Sequence, residues 1–265
     1  MAQQEESGFW THVEALRRLL LRMVAAVMVL AIALFAAMPW IFDHIIAAPC
    51  RGDFILYRWL AMAKMAGGAW MPDLGDPDFS VSLINIELAS QFFVHMTLSF
   101  YLAVILAFPY LLFEIWRFIS PALYEQEKRG TRWAFFFGCL LFYMGMTVGY
   151  LVIFPLTLRF LADYELSSMI DSTVSLTSYM DSFYAIVLLM GVVFEVPIVA
   201  WLLGRIGLLR REFFTKYRRH AIVAILVLAA LLTPTGDPFS LTVIFLPIYA
   251  LWEASALLVP KGDKQ

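Results

Sequence analysis

Carboxylates next to aromatic residues characterise the segment 108–129. Glu125 and Glu127 flank Gln126 and are followed directly by Lys128 and Arg129. The preceding residues supply an apolar, rigid surface, formed by Trp116, Phe118, Pro121 and Tyr124. A carboxylate binds a guanidinium through charge-assisted hydrogen bonds, and an apolar floor suits a ligand that is itself partly apolar. The segment therefore indicates a site for a basic, partly apolar peptide, with an ordinary solvated charge run as the alternative.

A second carboxylate lies in the amphipathic stretch 12–22. Glu14 precedes Arg17 and Arg18 by three and four residues. That spacing permits local ion pairs on a helix, each worth only about 0.2–0.5 kcal/mol. The alternative is that Glu14 receives an arginine from another molecule. The apolar residues of the stretch recur on one face, so we expect it to lie in the membrane interface before turning into the first span.

Glu195 stands inside an apolar run and is followed by Pro197, which frees a backbone carbonyl one turn earlier. An ionisable side chain at that depth faces protein or water and is a functional candidate. The alternative is a protonated glutamate hydrogen-bonded to a neighbouring helix. Glu253 lies closer to the end of the last apolar run, where we interpret it as a helix-end carboxylate.

Residue patterns typical of enzymes are missing from the sequence. The four histidines have no metal-ligand spacing, and there is no HExxH motif, phosphate-binding glycine loop or nucleophile elbow. The Gly236-Asp237 pair resembles part of an aspartyl intramembrane protease motif, but no second intramembrane aspartate is available to share its proton. We therefore predict a protein that is not an enzyme and that binds no metal and no cofactor.

The composition places these residues in a membrane protein. Hydrophobic residues make up 62% of the chain and charged residues 15%, far from the balance of a soluble domain. Apolar runs predict an all-α polytopic membrane protein with one domain over 1–265, an outer cap loop at 43–90 and six transmembrane helices. The six spans are expected at about 20–42, 92–113, 133–158, 183–203, 221–232 and 241–259. The fifth is only about 18 Å long at 1.5 Å per residue, shorter than the hydrocarbon core.

Basic residues predict the orientation of these spans. Fifteen of the 19 lysines and arginines fall in the leader, the second-to-third loop, the fourth-to-fifth loop and the tail, and four fall on the opposite side. Positively charged loops remain in the cytoplasm. Both termini are therefore predicted to be cytoplasmic.

Several blocks spread along the chain resemble the TatC family, the multispanning receptor subunits of the twin-arginine protein translocase. The resemblance rests on His12, Leu16, Arg17, Pro49, FEIWRFISPALYEQEKR at 113–129, LLFYMGMTVGYLVIFPL at 140–156, FEVPI at 194–198, LLTPTGDPFS at 231–240 and LPIYALWEAS at 246–255. It implies a concave membrane face, short fifth and sixth helices, and a place in the bacterial cytoplasmic (inner) membrane. It also implies that the protein binds the signal peptides of folded cargo proteins.

The resemblance also implies roles for single residues. Glu127 matches the loop carboxylate that helps to bind the arginine pair of the signal peptide, and Glu195 matches the polar residue of the concave face. Other positions match the loop motif of the signal-peptide site or the leader arginine: Phe118, Pro121, Leu123, Tyr124 and Arg17. Implied partners are twin-arginine signal peptides, small single-span subunits of the TatA and TatB types and the lipid bilayer, in an oligomeric complex driven by the proton-motive force, with no nucleic acid.

Two positions depart from the family pattern. The leader of the family often reads H-L-x-E-L-R, whereas this chain has Ala15 before Leu16 and its carboxylate one residue earlier, at Glu14. After the fifth span, Asp237 lies in a Pro-Thr-Gly-Asp-Pro turn, and Leu241 stands where the family often has a glutamine. We expect Asp237 and Leu241 to contact partner subunits.

Two other functions fit the same residues. A proton-coupled small-solute transporter would use Glu195 and Pro197 in a broken midspan helix, and would take up solute as a purified protein. An assembly scaffold without a ligand would leave the charge cluster 125–129 insensitive to mutation.

Overall fold

The structure, a computed structural model, describes residues 2–65, 79–120, 125–164, 173–205, 207–232 and 238–259. At 2–12, 63–65, 119, 125–132 and 232 it describes the backbone alone. The fold is α-helical, as predicted. Its helices are α1 (Ala2–Ile41), α2 (Ile55–Met65), α3 (Ser90–Ile119), α4 (Glu125–Val148), α5 (Phe154–Asp163), α6 (Leu176–Val193), α7 (Val196–Arg205), α8 (Arg211–Lys216), α9 (Arg218–Leu232) and α10 (Pro238–Leu258).

Five helical segments in the described part of the chain are long and apolar enough to cross a membrane: Val13–Cys50, Ser90–Phe118, Trp133–Asp163, Leu176–Arg205 and Pro238–Leu258. They coincide with five of the predicted spans. Large apolar side chains on them point outward, and Val29 and Ile32 of α1 are 67% and 69% exposed. Such exposure is expected where lipid is the solvent. The chain is therefore a multi-pass membrane protein.

The predicted fifth span corresponds to α9, which has 15 residues and is about 22 Å long at 1.5 Å per residue. It is short, as expected, and is not among the five segments long enough to cross a membrane. The count of six spans therefore stays a prediction. Helix α10 has 21 residues, about 31 Å, and is longer than the short helix that the resemblance implied. The expected turn between leader and first span is wrong, because α1 runs unbroken over 40 residues.

Contacts between residues group the chain into two compact units. The first unit contains residues 1–40 and 92–139, and the second contains 41–91 and 140–265. In the first unit α1 packs on α3 through Val27, Ala103 and Ala107. Small residues one turn apart let two helices approach closely. At the other end of this contact the His95 ring stacks on Phe35 at 3.9 Å between centroids.

In the second unit, tyrosine hydroxyls donate hydrogen bonds to backbone carbonyls of distant residues. Helix α1 is followed by a π-helical turn, Phe42–Ile46. Its backbone hydrogen bonds join residues five apart, not four apart as in an α-helix. Tyr150 donates to Ile45 O at 2.6 Å, and Tyr179 donates to Ile46 O at 2.5 Å. These bonds connect the π-helical turn to the segments that carry Tyr150 and Tyr179.

The predicted cap between α1 and α3 contains the short helix α2. Two-residue strands β1 (Leu83–Ile84) and β2 (Val174–Ser175) pair in parallel and connect the cap to the start of α6. Within the described part of the cap, Arg51 also donates to the backbone carbonyl of Asp43. The cap is thus tied by backbone contacts to the helices of its own unit.

Tyr57 anchors α2 to the second unit. Its hydroxyl lies 3.0 Å from Pro49 O and 3.1 Å from Pro155 O, and its side chain is buried. Burial raises the pKa of Tyr57, so the hydroxyl keeps its proton and acts as the donor. Two distant parts of the chain therefore share one hydrogen-bond donor.

Replacing Tyr57 with phenylalanine is expected to destabilise the protein by about 1–2 kcal/mol, because buried carbonyls lose their donor while the ring remains. In a protein of this size that corresponds to a fall in Tm of roughly 2–8 °C, measurable by thermal unfolding in detergent. The control is Tyr164→Phe, since Tyr164 is 61% exposed. An equal Tm for both variants would contradict the anchoring role.

Candidate functional site

An ion pair with a buried carboxylate and a half-exposed guanidinium lies inside the first unit, and the sequence did not predict it. Glu114 of α3 is 2% exposed. Arg22 of α1 donates to its Oε2 from Nε at 3.1 Å and from Nη2 at 2.9 Å. The hydroxyl of Tyr110, one helical turn earlier, donates to Oε1 at 3.2 Å. The available sequence signal was a glutamate inside the apolar run that ends α3.

Glu14 makes the local contacts that its spacing permits. Its carboxylate lies 3.7 Å from the Arg17 guanidinium and 3.5 Å from that of Arg18. All three side chains are well exposed, so water screens the pairs and each contributes little to stability. The same weakness means that Glu14 exchanges partners at little cost. The structure thus gives Glu14 a local role and leaves its carboxylate accessible.

The loop residues of the predicted site are described unevenly. Phe118 lies at the end of α3 and is 39% exposed. Glu127 lies in the first turn of α4, where the positive end of the helix dipole favours a carboxylate; its side chain is not described. Three predicted residues lie outside the described residues: Pro121, Leu123 and Tyr124.

Glu195 occupies a break between two helices, within the predicted span 183–203 and two residues before Pro197. Helix α6 ends at Val193 and α7 begins at Val196, with Pro197 buried in the first turn of α7. The Oε1 atom of Glu195 is buried and has no hydrogen-bond partner. An unpaired carboxyl oxygen within an apolar span has a high desolvation cost. The arrangement leaves Glu195 able to bind a polar group that enters the span.

Glu253 is a paired carboxylate in the last part of α10. It accepts a hydrogen bond from Arg218 Nη2 at 2.6 Å on Oε2 and from the Tyr249 hydroxyl at 2.7 Å on Oε1. Its side chain is 32% exposed, and that of Arg218 is 52% exposed. Because Arg218 is the first residue of α9, the pair joins the start of this short helix to α10. It has a structural role within the second unit.

The predicted partner-contact residues lie at the start of α10 and before it. Leu241 is half-buried in the first turn of α10. Asp237 lies outside the described residues. The contact of Leu241 and Asp237 with a partner subunit therefore stays a prediction.

Arg159 is a buried cation. In the sequence it counted only as one of the four basic residues on the outer side. It is 1% exposed. Its guanidinium carbon lies 5.1 Å from the ring centroid of Tyr57 and 4.5 Å from that of Phe79, and Asp163 is 3.5 Å away. Two aromatic faces stabilise such a cation when water is excluded. Arg159 fixes the cap on α5.

These arrangements favour binding of cations rather than covalent chemistry. Glu14 is exposed, Glu114 already holds a guanidinium, and Glu195 has an unsatisfied oxygen. No three potential metal ligands converge among the residues that the structure describes. The predicted carboxylates fall in different parts of the chain, with Glu14 in the first unit and Glu195 in the second.

Comparisons with known proteins point to one family. The model of the family described as Sec-independent protein translocase protein (TatC) matches residues 11–247. A TatC protein of Blattabacterium sp. subsp. Periplaneta americana is 31% identical over 253 residues, which cover 96% of this chain and 95% of the relative. The TatC protein of Escherichia coli K12 is 32% identical over 253 residues, 96% of this chain and 88% of the relative.

A solved structure agrees with the sequence comparisons. The crystal structure of the twin arginine translocase receptor TatC in DDM superposes with a TM-score of 0.74 at 25% identity. The superposition covers 94% of this chain and 99% of that chain. Fold and sequence therefore indicate the same family over almost the whole length.

Proposed function

The chain belongs to the TatC family of Sec-independent protein translocase proteins, and on that basis we propose that it is the receptor subunit that binds twin-arginine signal peptides of folded cargo. It would act in the bacterial cytoplasmic membrane with both termini in the cytoplasm, and would nucleate the translocation complex with TatA-type and TatB-type subunits. The observation that carries the proposal is the family match over residues 11–247, which includes every predicted signal-peptide residue.

Recognition of the arginine pair follows from the geometry of guanidinium groups. Each presents a planar fork of N–H donors that meets a carboxylate with two parallel hydrogen bonds, which a lysine ammonium cannot copy. Glu127 in the first turn of α4 is the proposed principal acceptor. Glu14 is a second acceptor, since its two exposed ion pairs contribute little and exchange readily.

The apolar part of the signal peptide would follow the arginines into the membrane. Phe118, exposed at the end of α3, together with Pro121, Leu123 and Tyr124 would form the apolar floor beneath it. Glu195 would be the polar anchor deeper in the span, because its buried Oε1 has no partner of its own. Asp237 and Leu241 would contact a partner subunit.

The proposal is tested by peptide binding to the purified full-length protein in nanodiscs. We expect a fluorescent signal peptide with the arginine pair to bind about tenfold or more tightly than the same peptide with two lysines, because lysine loses a bidentate charge-assisted bond at each position. Photo-crosslinking then maps the contact. Equal affinities for the two peptides, or unchanged capture by a Glu14→Ala, Glu127→Ala double variant, would refute the receptor function. Saturable solute uptake by the purified protein would instead favour the transporter.

A further inference from the structure

The ion pair of Arg22 and Glu114 is asymmetric in its exposure. The Glu114 side chain is 3% exposed and the Arg22 side chain is 45% exposed. The carboxylate is therefore fixed in the packed interior of the first unit, whereas the guanidinium reaches it from the accessible side. A long, half-exposed side chain swings away more easily than a buried one, so Arg22 is the exchangeable member of the pair.

The hydrogen bonds of the pair are also incomplete. Arg22 donates from Nε and from Nη2 to the same oxygen, Oε2. The other oxygen, Oε1, has a single described donor, the Tyr110 hydroxyl at 3.2 Å. A carboxylate matches a guanidinium best when each of its two oxygens accepts one bond from the fork. Glu114 thus binds a guanidinium here without using its full capacity.

The position of the pair is close to other residues of the proposed signal-peptide site. Phe118 lies four residues after Glu114 on α3. Arg18, which pairs with the proposed acceptor Glu14, lies four residues before Arg22 on α1. Residues four apart share one helix face. Glu114 is therefore on the face of α3 that carries the exposed Phe118, near the end of the apolar segment Ser90–Phe118.

We propose that Glu114 is a further guanidinium-binding carboxylate of the signal-peptide site, and that Arg22 occupies it in the empty receptor in place of a signal-peptide arginine. The proposal rests on the receptor function proposed above. It is compatible with the departure at Ala15, where the leader carboxylate stands one residue earlier, at Glu14, because Glu114 adds an acceptor beside that shifted carboxylate. The ligand class is an arginine side chain of an incoming peptide.

This exchange would contribute to selectivity for arginine. When a peptide arginine displaces Arg22, one guanidinium replaces another and the buried carboxylate stays paired. When a peptide lysine displaces Arg22, the carboxylate loses a planar fork and gains a point charge. A buried carboxylate that loses a charge-assisted bond is strongly disfavoured. The exchange is therefore nearly balanced for arginine and unfavourable for lysine.

The decisive experiment compares Arg22→Lys with Glu114→Gln in the full-length protein, with the arginine-pair and lysine-pair peptides as probes. We expect Arg22→Lys to tighten binding of the arginine-pair peptide about threefold to tenfold, because a lysine is easier to displace from the carboxylate. We expect Glu114→Gln to weaken it about tenfold and to reduce the preference for arginine over lysine. Arg219→Lys, at an exposed arginine of α9, is the matched control and should change neither value.

The sign of the Arg22→Lys effect separates the proposal from a purely structural ion pair. A structural pair predicts that both variants lower Tm and weaken binding together, and that result overturns the proposal. Unchanged binding by Glu114→Gln overturns it as well. If the wild-type protein prefers the arginine pair and loses it in Glu127→Gln alone, the receptor function stands and the role of Glu114 fails. If the wild-type protein shows no preference, the receptor function itself fails. Should Glu114→Gln not fold, Arg22→Lys decides alone, since it retains the positive charge.

Discussion

Replacing Glu127 with glutamine is expected to weaken binding of an arginine-pair signal peptide by about 10-fold to 100-fold. The substitution keeps the shape of the side chain and removes the negative charge. Because the amide nitrogen of glutamine cannot accept, one of the two charge-assisted hydrogen bonds to the guanidinium is lost, at a cost of about 1.5–3 kcal/mol. Glu127 lies in the first turn of α4, where the positive end of the helix dipole stabilises a negative charge that glutamine lacks. Fluorescence anisotropy with the purified protein measures the loss.

The matched control for Glu127→Gln is Glu125→Gln, which changes the same net charge two residues earlier on the same helix. Residues two apart on a helix point about 200° apart and do not share a face. We therefore expect less than about a threefold change for Glu125→Gln, the size of a general charge effect at the surface. Equal losses in both variants would indicate non-specific attraction of a basic peptide and would contradict a specific role for Glu127.

Export in cells is expected to follow the peptide measurements. A folded reporter carrying an arginine-pair signal peptide should accumulate in the cytoplasm of cells that depend on the Glu127→Gln variant. Membrane levels of the variant should match those of the wild type, because a substitution at a helix start removes little stability. Normal export with weakened peptide binding would show that another carboxylate compensates, and Glu14 and Glu114 are then the residues to combine with Glu127.

Helix positions followed from the sequence wherever a single helix determines its own environment. Long apolar runs predicted five spans that the structure contains, because lipid requires an apolar surface over a fixed length. The loss of a helical hydrogen bond one turn before Pro197 also followed from the sequence, since proline has no backbone donor, and α6 ends at that turn, at Val193. Both inferences depend on neighbours in sequence, which a linear pattern records.

Contacts between distant residues were not predictable in the same way. Arg22 and Glu114 are 92 residues apart, and each alone resembles an ordinary charge near a membrane boundary. Arg159 counted only toward the orientation of the chain, although it is buried between two aromatic rings. The pairing of a charge depends on which helices pack together, and helix packing depends on side-chain shape over the whole surface. Hydrophobic periodicity carries no such information.

The unbroken α1 has a related explanation. An amphipathic leader predicts a helix in the membrane interface, and an apolar run predicts a helix across the membrane. Neither pattern contains a glycine or proline between 13 and 38 that would separate the two. The helix therefore continues from one segment into the other. Amphipathicity indicated which residues avoid lipid, but the sequence contains no residue that would form a turn between the two segments.

Close packing of α4 on α6 yields the second large expected effect. Gly145 faces α6 so closely that an added Cβ would lie 2.4 Å from the backbone oxygen of Met190 and 2.7 Å from the Phe194 Cβ. A backbone oxygen does not move aside as a flexible side chain does. Gly145→Ala is therefore expected to push the two helices apart and to destabilise the second unit by at least about 1–3 kcal/mol. Lower membrane levels and a fall in Tm of several degrees, about 2–4 °C per kcal/mol, are the measurements.

Gly149→Ala is the matched control for Gly145→Ala. The same Cβ placed at Gly149 would lie 3.1 Å from the Met190 Cβ and from the Val187 Cα, so a shift of a few tenths of an ångström relieves the contact. Both glycines lie on the face of one helical segment toward α6, and alanine is the better helix former at either position. The Gly145 variant should thus be the less stable of the two. Equal stability would show that α4 and α6 separate without cost, and would contradict the proposed effect of the close approach at Gly145.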